Sequence, residues 1–131
     1  MHMKQLFYKI SLSLLLVSAA FFYASAQAPA VGTASIDANL VIQIDPTKPL
    51  METYTFSIST MAFKDEAAAN RFFSLCRDNI LNYTLDYANK TATVKLGLQF
   101  TEPRGWDVNE YNEYFAKAAE RYRMMLTVVN E

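Results

Sequence analysis

The clearest pattern of apolar and polar positions in the chain predicts a helix over residues 107–129. Apolar side chains recur in this stretch at spacings of three and four residues, which aligns them on one face of an α-helix. They are Tyr111, Tyr114, Phe115, Ala118, Ala119, Tyr122, Met125, Leu126 and Val129. Asp107 is suited to the N-cap, and Glu110, three residues later, completes the pattern of a capping box. We therefore expect a long amphipathic helix whose apolar face packs on a sheet.

Four segments in which apolar and polar residues alternate predict β-strands, because successive side chains of a strand point to opposite faces. They cover residues 36–44, 52–60, 80–87 and 91–100. In the second segment the polar side consists of threonine and serine, so we expect one face of the sheet to contact water. A helical pattern over residues 64–79 separates the second strand from the third. The first two strands are predicted to pair as a hairpin, although their connection is long enough for another pairing.

This order of elements, β-β-α-β-β-α, predicts an α+β fold. A helix that joins two strands, followed by a hairpin and a second helix, makes up most of a split βαβ unit. We expect a ferredoxin-like plait: an antiparallel sheet of about four strands with two helices on one face. The N-terminal strand is expected at the edge position that a fourth strand after the last helix normally fills.

Residues 52–100 resemble the βαββ unit of heavy-metal-associated domains, most closely in the run LNYTLDYANKTATVKL at residues 81–96. The resemblance covers under half of the chain and implies a ferredoxin-like fold. In that family a Cys-x-x-Cys pair before the first helix binds the metal. The corresponding loop here, residues 59–64, reads STMAFK and contains no cysteine. The resemblance therefore implies the fold without the metal site of the family.

The N-terminal segment has the pattern of a secretory signal peptide. Lys4 and Lys9 precede an apolar run over residues 10–23, and Ala24-Ser25-Ala26 fits a cleavage site that leaves Gln27 as the new N-terminus. The alternative is an uncleaved anchor. We expect a signal peptide at residues 1–26, a flexible arm at 27–35 and a single domain at 36–131. The mature protein is expected in the periplasm or outside a bacterial cell, with no membrane attachment after cleavage.

Composition excludes several classes of function. The formal net charge is −1 and neither sign is concentrated, so no nucleic-acid partner is expected. The only histidine is His2, inside the predicted signal peptide, and the only cysteine is Cys76. Without a second histidine or cysteine, the chain after the signal peptide has no Ser-His-Asp or Cys-His site and no histidine-ligated zinc site. We therefore predict a protein that is not an enzyme and has no cofactor.

Cys76 and a group of acidic residues can each be explained either by a structural role or by a chemical one. Cys76 lies on the apolar side of the first predicted helix, which favours a buried structural thiol over a nucleophile. Glu102, Asp107, Glu110 and Glu113 cluster around the start of the last helix. They are expected to cap that helix, and the alternative is a carboxylate pair that acts as acid and base in a hydrolase.

The aromatic residues suggest an interaction surface. A small core needs fewer large rings than this chain has, and tyrosine and tryptophan are common at interfaces. The candidates for an interface are Trp106, Tyr111, Tyr83 and Tyr87. The alternative is that these rings bridge the helices and the sheet, with their polar ends in water.

The preferred hypothesis from sequence is an exported, non-catalytic domain that binds a protein partner or associates with itself, through a sheet edge or these aromatic side chains. The second is that the loop at residues 59–64 binds a small ligand or a soft metal through Met61 and Phe63. The third is the carboxylate hydrolase.

Overall fold

The computed structural model describes residues 30–131, so the predicted signal peptide and residues 27–29 lie outside the described range. Within this range the chain forms a five-stranded mixed sheet and three α-helices, which confirms the α+β class. The strands are β1 (Val31–Ile36), β2 (Ile42–Ile44), β3 (Thr53–Ser57), β4 (Leu81–Asp86) and β5 (Thr91–Leu96). The helices are α1 (Glu66–Cys76), α2 (Leu98–Thr101) and α3 (Val108–Val129), with a 3-10 turn (Glu102–Arg104) after α2. The sequence predicted four strands and two helices.

The strands lie in the order β2-β1-β3-β5-β4. The pairs β1–β2, β3–β5 and β4–β5 are antiparallel, whereas β1 runs parallel to β3. The sheet is therefore mixed rather than antiparallel throughout. The predicted hairpin between the first two strands is wrong, because β2 returns along β1 at the edge of the sheet and does not pair with β3.

The single strand predicted over residues 36–44 is interrupted by a turn. The Asp37 carboxylate accepts hydrogen bonds from the backbone N–H groups of Asn39 and Val41, both at 2.9 Å, which is the way aspartate commonly stabilises a turn. Leu40 takes a positive φ of 61° within it. The chain reverses here, so β1 and β2 form a hairpin in place of one long strand.

The arm predicted over residues 27–35 is also wrong for residues 31–35, which belong to β1. Small residues allow this strand to lie close to the core: Ala34 is buried, and Gly32 lies against the ring of Tyr54, where a side chain would overlap the ring atoms. Sequence periodicity missed the strand because close packing selects small residues here and leaves no alternation of large apolar ones.

The predicted fourth strand, residues 91–100, ends early. β5 stops before Gly97, whose N–H donates to the Ile80 carbonyl oxygen at 2.8 Å. A side chain on Gly97 would overlap the Asn79 carbonyl oxygen, so this close approach requires glycine. The chain then turns into α2, and Phe100, the last residue of the predicted strand, is 47% exposed.

Both long helices pack on the same face of the sheet. Tyr83 of β4 contacts Phe73 of α1 and Tyr122 of α3, with ring centroids 5.6 and 6.1 Å apart. The predicted apolar face of α3 is confirmed: Tyr111, Phe115, Ala119, Tyr122 and Val129 are buried, and its other four members are partly buried. Among residues 30–131, no helix covers the opposite face of the sheet, in agreement with the expected water-exposed face.

Candidate functional site

Two of the four aromatic residues predicted to form an interaction surface belong to the core. Tyr83 is 1% exposed, and its hydroxyl lies 2.7 Å from the hydroxyl of Tyr122. Tyr111 is fully buried, and its hydroxyl lies 2.5 Å from Thr101 Oγ1. Burial raises the pKa of both tyrosines, which keeps them neutral hydrogen-bonding groups inside the domain. Their assignment to an exposed interface is therefore wrong.

The other two aromatic residues are partly exposed but lie far apart. Trp106 stands before α3 and packs on Tyr111 and Tyr114, with ring centroids at 5.3 and 5.7 Å. Tyr87 follows β4 at the β4–β5 turn, with the Lys90 ammonium 3.3 Å from its ring centroid. The Trp106 N–H donates to the carbonyl of Thr101, which follows β5 at the other end of the β4–β5 hairpin from Tyr87. The two partly exposed rings therefore do not form one surface.

The predicted ligand loop, residues 59–64, is packed against the domain. Met61 is buried, and the ring of Phe63 contacts that of Phe72 with centroids 5.3 Å apart. The side-chain amide of Asn130 binds the backbone of the loop at two points: its oxygen accepts from the Lys64 N–H at 2.9 Å, and its nitrogen donates to the Ala62 carbonyl at 2.6 Å. The end of α3 therefore fixes the shape of this loop.

A small cleft lies beside this loop, with a volume of about 150 Å³. Its walls are Ile58, Ser59, Met61, Phe63, Tyr87 and Lys90. The structure thus brings both predicted loop residues together with one predicted interface residue, Tyr87. The cleft contains one thioether and one ammonium group, a set with too few donors for a soft metal ion.

The acidic residues at the start of α3 cap the helix. The Asp107 carboxylate accepts from the N–H groups of Asn109 at 2.8 Å and Glu110 at 3.4 Å, and the Glu110 carboxylate accepts from the Asp107 N–H at 2.9 Å. The predicted capping box is confirmed. Hydrogen bonds with the Glu110 side chain and the Asn109 backbone lower the pKa of Asp107. Glu102 and Glu113 are exposed, and no group of three potential metal-binding side chains occurs within residues 30–131.

Cys76 is a core residue, as its position on the helix predicted. Its side chain is fully buried, and its sulfur lies 3.7 Å from the sulfur of Met125. Burial raises its pKa to about 12. The thiol is therefore protonated at neutral pH and inaccessible to substrates.

The most regular surface of the described chain is the uncovered side of the sheet, which we call the open face. It consists of Val31, Thr33, Thr53, Thr55, Ser57, Asn82, Thr84, Asp86, Thr91, Thr93 and Lys95. Strand register aligns Thr33, Thr55, Thr93 and Thr84 in one row across β1, β3, β5 and β4. The hydroxyls of Thr55 and Thr93 lie 3.3 Å apart in this central row.

Two further rows flank the threonines. Lys95 lies between Thr53 and Asn82 on one side, and Thr91 lies between Ser57 and Asp86 on the other. The centre of the open face is therefore uncharged, with Lys95, whose ammonium lies 3.7 Å from the Glu52 carboxylate, in one flanking row and Asp86 in the other. The sequence shows the Thr-x-Thr pairs of β3 and β5. It does not show that these threonines align in one row with Thr33 of β1, because that alignment depends on the register of the strands.

Both edges of the sheet are engaged by side chains. At β2, the Asn112 amide accepts from the Ile44 N–H and donates to the Ile44 carbonyl, both at 2.9 Å. At β4, the Arg77 guanidinium donates to the Tyr83 carbonyl at 3.1 and 3.3 Å, and Asp78 Oδ1 accepts from the Leu81 N–H at 2.7 Å. These contacts occupy backbone groups that an added strand would need, which disfavours the predicted use of a sheet edge as an interface.

None of the described helices has the length and apolar character needed to cross a membrane. Comparison of the chain with protein-family models, with curated proteins and with solved structures finds no match.

Proposed function

We propose that the protein is an exported, non-catalytic domain that associates with a second copy of itself through the open face. The observation that carries this proposal is the row Thr33–Thr55–Thr93–Thr84, an uncharged band at the centre of the sheet side without helices. The centre of a protein interface is depleted of charged residues, and threonine methyl groups supply apolar contact there. The sheet edges and the buried tyrosines offer no comparable surface.

The arrangement of charge on the open face favours a second copy as the occupant. A two-fold axis parallel to the threonine row, placed between two facing copies, brings the row with Lys95 opposite the row with Asp86 of the second copy. The same operation pairs the two threonine rows. A surface that complements itself in this way is what a symmetric dimer requires.

The size of the open face predicts a weak dimer. Four strands about 4.8 Å apart and about five residues long give a footprint of ~300 Å². Two such footprints lie well below the ~1,600 Å² that a typical stable interface buries. We therefore expect a dissociation constant of about 0.1 mM.

Sedimentation equilibrium over a range of concentrations tests the proposal. Thr93→Lys places a charge in the central row and should abolish dimerisation, because two like charges would face each other across the two-fold axis. Thr127→Lys is the matched control, since Thr127 is exposed on α3. A monomer at every concentration, or equal loss of the dimer in both variants, would contradict the proposal.

A charge exchange tests the two-fold arrangement itself. Lys95→Asp and Asp86→Lys should each weaken the dimer, because each places like charges in facing rows. The double variant restores opposite charges and should recover most of the association. Failure of the double variant to recover it would exclude this orientation of the two copies.

A second candidate function is the binding of a small anion in the cleft beside residues 59–64. It is favoured by Lys90, which holds a positive φ of 53° and directs its ammonium group over Tyr87 at the cleft wall. Titration with sodium acetate should shift the amide signals of Ser59 and Lys90, and Lys90→Ala should remove this response. Unchanged signals would exclude the site.

We also propose that the described domain is a variant of the ferredoxin-like plait. In support, α1 joins β3 to β4, and β5 lies between these strands as in a split βαβ unit. β1 occupies the position of the missing fourth strand, but runs parallel to β3.

The export step rests on residues 1–26. The proposal predicts that the exported protein begins at Gln27, which mass spectrometry of the secreted or periplasmic fraction measures. A product that keeps residues 1–26 would contradict cleavage.

A further inference from the structure

We propose that a groove next to α2 binds a neutral saccharide. The groove has a volume of about 310 Å³, at the lower end of the range for small-molecule sites. Its walls include Glu52, Asn79, Asn82, Lys95, Gln99 and Phe100. We call it the α2 groove. This function is separate from self-association, although Asn82 and Lys95 also belong to the open face.

The side chains of the α2 groove match the hydrogen-bonding groups of sugars. Each of the three carboxamides, on Asn79, Asn82 and Gln99, offers an acceptor oxygen and two N–H donors in one plane. Neighbouring hydroxyl groups on a sugar ring both donate and accept, so one carboxamide satisfies two of them. Waters that occupy such a groove can be replaced by hydroxyl groups with little loss of hydrogen bonding.

Charge distinguishes a neutral sugar from an anionic ligand. Lys95 is the one cation among the lining residues, and its ammonium lies 3.7 Å from the Glu52 carboxylate. Asp78, which also lines the groove, accepts at its Oδ2 from the Tyr114 hydroxyl at 2.6 Å, and the same oxygen lies 3.8 Å from the Arg121 guanidinium. Both cations are therefore already paired with carboxylates, so a phosphate or sulfate group would find no unpaired positive charge, whereas a neutral hydroxylated ligand needs none.

Phe100 supplies the apolar part of the site. Its ring is 47% exposed and lies at the wall of an otherwise polar groove. The C–H groups on one face of a sugar ring pack on an aromatic ring of this kind, which removes apolar surface from water on both sides. The ring lies next to Gly97, and its remaining exposure follows from the end of β5 before that glycine.

Hydrogen bonds within the chain fix the shape of the α2 groove. The Gly97 N–H binds the Ile80 carbonyl at 2.8 Å, and the Phe100 N–H binds the Gly97 carbonyl at 2.9 Å. On the opposite wall, the Asp78 carboxylate accepts from the Ile80 N–H at 2.8 Å. These bonds fix both walls before a ligand arrives, which reduces the entropy lost on binding.

NMR titration of protein produced from the full 131-residue sequence tests this proposal. The probes are maltose, cellobiose and diacetylchitobiose, each used alone at concentrations up to about 20 mM, which covers the weak affinities expected of a shallow groove. We expect at least one probe to give saturable shifts of the amide signals of residues 97–100 and 79–82. Binding should not change between low and high salt, because no net charge is involved.

Three variants and one control separate this site from an unspecific effect. Phe100→Ala should weaken binding about tenfold, and Gln99→Ala should weaken it by a smaller factor. Phe100→Tyr keeps the ring and should preserve binding. Val128→Ala, on an exposed part of α3, is the control that should leave binding unchanged.

Several results would overturn the proposal: no saturable shift with any of the three probes, equal affinity in Phe100→Ala and the unaltered protein, or loss of binding at high salt. Gln99→Ala also serves if Phe100→Ala fails to fold, since Gln99 is exposed. Gln99 and Phe100 lie outside the open face, so sedimentation of both variants reports on self-association independently.

Discussion

The side-chain amide of Asn112 pairs with the backbone N–H and carbonyl groups of Ile44 through two hydrogen bonds of 2.9 Å. A carboxamide carries one donor and one acceptor side by side, which is the pattern a neighbouring β-strand would present. One side chain of α3 therefore takes the place of a further strand at the edge of β2 and satisfies both backbone groups of Ile44.

Asn112→Ala removes both partners of Ile44 at a partly buried position. The free energy of unfolding should fall by about 1–3 kcal/mol, because two backbone groups lose their hydrogen bonds. Urea unfolding measures this change. Asn109→Ala, at an exposed position of the same helix, is the control and should change stability by less than about 0.5 kcal/mol. Equal effects of both variants would mean that the Ile44 pairing contributes little.

The hydrogen bond between the buried hydroxyls of Tyr83 and Tyr122 can be tested from both sides, because both groups belong to side chains. Tyr83→Phe leaves the Tyr122 hydroxyl buried without a partner and should destabilise the domain by about 1–3 kcal/mol. The double change to phenylalanine removes both hydroxyls and should cost less than the sum of the single changes. A double-mutant cycle of unfolding free energies measures the difference, and additive values would contradict a hydrogen bond between them.

Phe115 tests the helix face identified from the sequence. Its ring is fully buried, so Phe115→Ala should lower the free energy of unfolding by about 3–5 kcal/mol. Met124→Ala is the matched control, because Met124 is exposed on the same helix. A loss below about 1 kcal/mol for Phe115→Ala would show that this face does not form the core.

Stability is expected to fall in alkaline solution. Burial raises the pKa of Cys76 from its ordinary value of 9.0 to about 12, and that of Tyr114 from 10.0 to about 12. In the unfolded chain these two groups ionise at their ordinary pKa values. Rising pH therefore stabilises the unfolded state before it affects the folded state. The contribution of these groups is therefore complete below pH 9 and is lost as the pH rises from 9 towards 12.

Unfolding free energies measured between pH 7 and about pH 10.5 test this expectation. Cys76→Ala removes the thiol and should make the decline above pH 9 shallower, although its stability at pH 7 is lower because the substitution leaves a cavity. An identical pH profile in the variant would show that Cys76 does not contribute. Tyr114→Phe should reduce the decline in the range above pH 10.

The sequence predicted those parts of the fold that depend on local periodicity. The α3 face, its capping box and the burial of Cys76 follow from residues close together in the chain, and all three are confirmed. The α+β class follows from the order of the elements. In contrast, the role of Gly32 in β1 depends on the ring of Tyr54, which is distant in the sequence and leaves no room for a side chain at that position.

The candidate sites were harder to predict because they depend on distant partners. The hydroxyl group that pairs with Tyr83 in the core belongs to Tyr122, 39 residues later. Without that partner, a tyrosine is easily assigned to a surface. The threonine row of the open face likewise requires the register of four strands, and the exposure of Phe100 requires the close approach of Gly97 to Asn79.

The two asparagine amides of α3 have a consequence for how the domain forms during synthesis. Asn112 binds Ile44 and Asn130 binds Ala62, and each pair is separated by 68 residues of chain. All five strands of the described chain leave the ribosome before the helix that closes them, so the early chain lacks the six buried apolar residues that α3 supplies. A chain that is exported, as we propose, would in this way stay loose enough to be threaded through a translocation channel, and would become a folded domain only on the far side.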